Sequence, residues 1–123
     1  MSRIDRINQT MRREIGTIIQ RELQDPRLSF VTITQVEVSR DLQHAKAYFS
    51  VLGDHPDIEK AQASLNNARG IVRKLVGKSV RMRYTPEIQF IFDASIQYSA
   101  HLEETFQQIH DQTQGEKPEG QET

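Results

Sequence analysis

The chain contains no cysteine. That absence removes a disulfide framework, a thiolate metal site and a cysteine nucleophile. Long apolar runs are missing as well. No segment approaches the roughly 18–20 apolar residues of a membrane span. The start of the sequence, Met1 to Met11, is charged and amphipathic rather than the continuous apolar run of a signal peptide. The expectation is a cytoplasmic protein of a reducing compartment with no membrane partner. Hydrophobic residues make up only 36% of 123 residues, and part of that deficit sits in a polar C-terminal stretch. The rest suffices for one domain with a modest core. Neither a phosphate-cradling Gly-x-x-x-x-Gly-Lys nor a Gly-x-Ser-x-Gly is present. His44, His55, His101 and His110 form no i, i+4 pair, and the acids are scattered. Glu103 and Glu104 are adjacent, so on a helix they diverge by about 100°. No catalytic residue, metal site, cofactor or small-molecule substrate is therefore expected.

What is there is an uneven distribution of charge. The net charge is −1, yet Lys60 to Tyr84 holds seven cations and no anion, while Thr85 to the end sums to −7. The stretch from Asn66 to Tyr84 carries Arg69, Arg73, Lys74, Lys78, Arg81 and Arg83. On a helix, Ile71, Val72, Leu75 and Val76 fill one arc while Arg69, Arg73, Lys74 and Lys78 fill the other. One face can be buried while the opposite face offers cations to a polyanion, RNA above all. The same pattern also describes a solvated amphipathic helix, and charge alone leaves both readings open.

Taken in order, residues 3–23 predict a helix, with Ile4, Ile7, Met11, Ile15, Ile18, Ile19 and Leu23 at spacings of three and four. Ser2 and Asp5 form an N-cap pattern. Arg3, Arg6, Arg12, Arg13 and Arg21 fill the polar side, and Gly16 is read as room for a close backbone approach. Phe30–Ser39 predicts a strand whose apolar parity changes, so a bulge is expected near Gln35. Arg40–Gln43 is a turn and His44–Leu52 a second strand, which together make an antiparallel hairpin. Asp57 to about Asn67 predicts a helix with a companion from Arg69 or Gly70 to Val76, capped by Gly77. Asn and Gly propensities place a kink at Ala68 and Gly70 between the two. Val80–Tyr84 is a basic extended lead-in to a third strand, Ile88–Phe92. Phe49, Phe90 and Phe92 are read as core, with Tyr48 on the polar parity. Ser95–Gln112 predicts a last helix and residues 113–123 a disordered polar tail, so that the folded domain spans residues 1–112.

In this order the chain resembles the ribosome-binding factor A family. The resemblance rests on the amphipathic N-terminal helix running into Asp25-Pro26-Arg27 with Val31-Thr32-Ile33-Thr34. It rests also on Ser39-Arg40-Asp41-Leu42-Gln43-His44-Ala45-Lys46-Ala47-Tyr48, and on Pro86-Glu87-Ile88-Gln89-Phe90 with Phe92-Asp93. It implies an α+β fold of the type II KH-like kind, with Ala68-Arg69-Gly70 as an interhelical kink where other KH domains carry a Gly-x-x-Gly loop. It further implies an assembly factor for the small ribosomal subunit and its RNA, and a monomer is expected when the protein is free. Such a factor promotes late maturation and processing near the 5′ end of that RNA without catalysing it, and matters most in the cold. Arg69, Arg73, Lys74, Lys78, Arg81 and Arg83, with Arg3, Arg6, Arg12 and Arg13 as a second set, are the expected phosphate contacts. The alternatives are a processing nuclease and a module that docks an acidic protein.

Overall fold

In a computed structural model, which describes residues 1–94, three strands form one sheet in the order β1–β2–β3. The elements are α1 (Arg3–Arg21), a 3-10 turn (Pro26–Leu28), β1 (Val31–Val38), β2 (His44–Val51), α2 (His55–Ser79) and β3 (Glu87–Phe92). The helix expected over Ser95–Gln112 and the tail beyond it lie outside the described residues. Strands β1 and β2 pair antiparallel, and β3 joins β2 in parallel after the α2 crossover. No helix among the described residues is long and apolar enough to cross a membrane.

Local chemistry sets the helix starts. Ser2 and Asp5 form a reciprocal capping box, in which the Asp5 N–H donates to Ser2 Oγ at 3.1 Å and the Ser2 N–H to Asp5 Oδ2 at 3.2 Å. Asp54 and Asp57 repeat the arrangement at α2, with Pro56 in its first turn. Each box satisfies two backbone donors that a helix start would otherwise leave without partners. From α1 the side chains of Met11, Ile15, Ile18 and Ile19 are buried. They meet Val31, Ile33, Val36 and Val38 of β1 and Ala45, Ala47, Phe49 and Val51 of β2 in one core. The opposite sheet face is polar, as the period-two alternation requires.

The expected bulge is present. The β1–β2 register shifts between Ile33 and Gln35, so Ile33 and Val36 both point into the core. Thr34, the extra residue, donates its hydroxyl to Asp93 Oδ2 at 2.9 Å. Phe49 is fully buried on the central strand and meets Phe92 edge-on, with centroids 5.8 Å apart. Burying a ring of that size contributes about 2–3 kcal/mol relative to exposure.

Three sequence expectations change. Helix α2 runs unbroken for 25 residues through Ala68 and Gly70, where two helices were expected. The reason is tertiary: Ala61, Leu65, Val72 and Val76 are buried and Ala68 packs beside them, so one apolar stripe crosses the low-propensity stretch. Gly77 does not cap a helix, because α2 continues to Ser79 and ends on Val80. Gly77 is instead a place of close approach: a Cβ there would stand 2.8 Å from Thr85 Oγ1. Gly16, conversely, has nothing among the described residues within 4 Å of where its Cβ would be, so no described backbone element approaches it.

Strand β1 is one edge of the sheet, and α1 closes it at both ends. Asn8 Oδ1 accepts the Val38 N–H at 2.8 Å. Gln20 Nε2 donates to the Val31 carbonyl at 2.8 Å. Edge groups that would otherwise invite another strand are thereby occupied.

Candidate nucleic-acid interface

All ten arginines and lysines singled out from the sequence are exposed, but they do not form one face. A groove of about 640 Å³ lies between the start of α1 and the 80–84 connection that leads from α2 to β3. Arg3 and Arg6 line one side and Arg81 and Arg83 the other, with Ile7, Leu42, Val80 and Met82 as apolar lining and Tyr84 beside them. The two basic sets, distant in sequence, therefore meet here. Arg81 and Arg83 also line a neighbouring hollow with Lys78. Arg83 and Tyr84 line a further one with Gly70, Arg73 and Lys74. Through the shared residues Arg81 and Arg83, a basic track runs from the start of α1 to the outer face of α2.

Three predicted residues stand apart from that track. Arg12 and Arg13 line a separate hollow with Gly16, Phe30 and Leu52. Arg69 lines none of these hollows and donates its Nε to the Asn66 carbonyl at 3.4 Å. Arg73 belongs to the track but also has a structural task. Its Nε and Nη2 donate to the Thr85 carbonyl at 3.2 and 2.9 Å, tying α2 to the residues before β3.

Among the described residues, no ion pair neutralises the charges on the track. Among the described residues the ion pairs are Arg13–Glu14 at 3.9 Å and Arg27–Asp25 at 3.0 Å, and neither involves a track residue. One acid does line the groove, Asp41. Its carboxylate is committed to the hairpin turn, accepting the Ser39 hydroxyl at 2.6 Å and the Gln43 N–H at 3.0 Å. The Ser39 hydrogen bond, followed by that of Gln43, holds its pKa below the usual carboxylate value.

Sequence reasoning missed Leu42 and Tyr84. Leu42 adopts φ 61°, a left-handed conformation that costs a branched residue about 1–2 kcal/mol. Packing of its half-buried side chain against the core, and its N–H bond to the Ser39 carbonyl at 2.9 Å, hold it there. Tyr84 stands 66% exposed with the Arg83 guanidinium carbon 5.6 Å from its ring centroid. The signal for it was available: one aromatic residue at the end of a basic run. Of the aromatics considered earlier, Phe49 and Phe90 are core and Phe92 packs on it. Tyr48 is held by donating its hydroxyl to Glu37 Oε1 at 3.2 Å. Among the described residues, no three histidines or carboxylates gather where they could hold a metal ion.

The comparisons with known proteins agree with this architecture. The sequence matches the family model described as ribosome-binding factor A over residues 3–106. It is 39% identical over 118 residues to the ribosome-binding factor A of Halothermothrix orenii, covering 96% of this chain and 97% of that protein. The crystal structure of ribosome-binding factor A from Thermus thermophilus superposes with a TM-score of 0.67 at 26% identity, over 73% of this chain and 96% of that one. Coordinates of the Thermus thermophilus factor fitted into a cryo-EM map of its complex with the 30S subunit give a TM-score of 0.60 at 26% identity, over 71% of this chain and 91% of that one. The α+β fold is thus KH-like. With its helix–hairpin–helix–strand order and a family match across most of its length, the chain belongs to the ribosome-binding factor A family.

Proposed function

We propose that this protein binds the small ribosomal subunit and its RNA during late maturation, and assists processing of the RNA's 5′ end without cutting it. The observation that carries the reading is the track of exposed cations from Arg3 and Arg6 through Arg81 and Arg83 to Lys78, Arg73 and Lys74. Phosphates neutralised along it release counterions, which supplies affinity without base readout. The fitted complex of the Thermus relative with the 30S subunit supports the same partner. The protein is cytoplasmic, a monomer when free, and needs no cofactor; the family resemblance implies that it is needed most in the cold. Arg12, Arg13 and Arg69 contribute general attraction rather than track contacts.

The test is the salt dependence of binding to immature small subunits. Each phosphate contact contributes about 0.7–0.9 to the slope of log affinity against log salt. Lys74→Ala and Arg81→Ala are each expected to flatten the slope by that amount. Affinity that does not change with salt would refute the electrostatic reading. Precursor RNA incubated with the protein and Mg²⁺ is expected to stay intact, and specific cleavage would turn the assignment to a nuclease.

A further inference from the structure

The groove between α1 and the 80–84 connection is more than a row of charges, and its remaining features have no use in phosphate contact. Met82, Leu42 and Ile7 give it an apolar lining, which adds nothing to the attraction of a phosphate. Tyr84 is 66% exposed at its side. A large exposed ring beside arginines is a stacking platform for a base, because every base has a π-face. Arg83 sits over the ring at 5.6 Å, and the exposure of Tyr84 leaves ring surface for a second partner. The volume, about 640 Å³, lies within the roughly 300–1,000 Å³ of sites that enclose a small ligand. Leu42, held at φ 61°, spends conformational energy on placing an apolar side chain in the lining.

From these features we infer that the groove takes an unpaired nucleotide of the RNA, with its base against Tyr84 and Met82 and its flanking phosphates on Arg3, Arg6, Arg81 and Arg83. The inference rests on the RNA-binding reading above and narrows it to a single-stranded or extruded nucleotide. A paired helix hides its base faces in the stack and offers phosphates and sugars only. A duplex would therefore leave the apolar lining and the tyrosine unused. A free nucleotide shares the base chemistry but carries phosphate on one side only. It would not span arginines on both sides of the groove.

The protein has no tryptophan, so Tyr84→Trp introduces a single indole fluorophore at an exposed position. Four ligands are titrated against it: oligouridylate, an abasic oligomer of equal length, a blunt RNA duplex of equal charge, and uridine monophosphate. Immature small subunits form a fifth arm. Oligouridylate is expected to quench the fluorescence and to bind about 5- to 150-fold tighter than the abasic oligomer, the range that one stacked base supplies. Tyr84→Ala should lose that factor for oligouridylate and leave abasic binding unchanged. Equal affinity for abasic and base-bearing strands overturns the proposal, as does quenching by the duplex. Displacement of the strand by uridine monophosphate at matched concentration assigns the groove to free nucleotides and overturns it too. If small subunits bind while no base preference is seen, the nucleotide site falls and the ribosomal reading stands. If the subunits do not bind, the ribosomal reading falls with it.

Discussion

Gly70 and Gly77 stand two turns apart in α2, and the same substitution should move the stability of the protein in opposite directions. An alanine inside a helix is favoured over glycine by about 0.5–1 kcal/mol, through lower entropy in the unfolded chain and better propensity. At Gly70 nothing lies within 4 Å of the new methyl group, so Gly70→Ala should be stabilising by that amount. At Gly77 the methyl would meet Thr85 Oγ1 at 2.8 Å, with Thr85 Cβ and Cγ2 at 3.8 and 3.9 Å. Thr85 has little room to retreat. Its carbonyl is held by Arg73 at 2.9 and 3.2 Å, and the next residue, Pro86, is fully buried. Overpacking of this kind costs about 1–3 kcal/mol. Set against the propensity gain, Gly77→Ala should be destabilising by up to about 2 kcal/mol, so the two variants differ by roughly 1–3 kcal/mol. Urea unfolding reads this directly. With a slope of about 1–2 kcal/mol/M for a domain of this size, the midpoints should separate by about 0.5–3 M. Equal stabilisation in both variants would show that Thr85 swings aside freely, and the argument for a packed contact at Gly77 would be lost.

Two further outcomes follow from the hydrogen bonds that place the elements. Asn8→Ala strips the Val38 N–H of its acceptor and should lower stability by about 1–2 kcal/mol in urea melts. Gln20→Ala exposes the Val31 carbonyl and should cost less, because water can replace the lost donor at this half-open site. Asp25 caps the 3-10 turn and pairs with Arg27 through two bonds of 3.1 and 3.0 Å. Its side-chain bond from Arg27, followed by the Arg27 N–H, lowers its pKa from the usual value. A depressed carboxyl stabilises the fold above the unfolded pKa of about 4 and loses that contribution as pH falls through the lower folded value. Asp25→Asn should therefore be less stable than the parent at pH 7, and the difference should fade in thermal melts as the pH is lowered through the depressed folded value. A difference that persists unchanged at low pH would show that the charge is not its source.

The fold was legible where periodicity and local chemistry agree. The spacing of Met11, Ile15, Ile18 and Ile19, the Ser2–Asp5 box, and the parity change around Thr34 are all local statements, and each is found in place. The continuity of α2 was not legible. Asn66, Asn67 and Gly70 argue for a break locally, and only the burial of Leu65 and Val72 on either side overrides them. The site was half legible. A run of cations is visible in one dimension, but which cations share a groove depends on where α1 begins relative to the end of α2. Arg3 and Arg6 lie on the same helix as Arg12 and Arg13, yet the two pairs line different hollows. Residues about two turns or more apart on one helix serve different ends of it, and nothing in the periodicity shows which end meets the 80–84 connection.

That connection has no regular structure, so its place has to be fixed by what it touches. At its end, Thr85 is gripped by the Arg73 guanidinium and seated against Gly77, both on α2. Val80 and Met82 pack against the core. Arg81, Arg83 and Tyr84 are thus carried on a segment whose ends are anchored while its polar side chains stay exposed. Two consequences separate structure from charge. Arg73→Lys keeps the cation but loses the two-pronged grip on the Thr85 carbonyl. If the grip sets the groove, this variant should bind small subunits more weakly with an unchanged salt slope. Lys74→Ala removes a cation that makes no intramolecular bond among the described residues, and should flatten the slope while leaving the urea midpoint in place. Identical behaviour in the two variants would mean that the connection holds its position without Arg73, and that the groove is set by its apolar contacts alone.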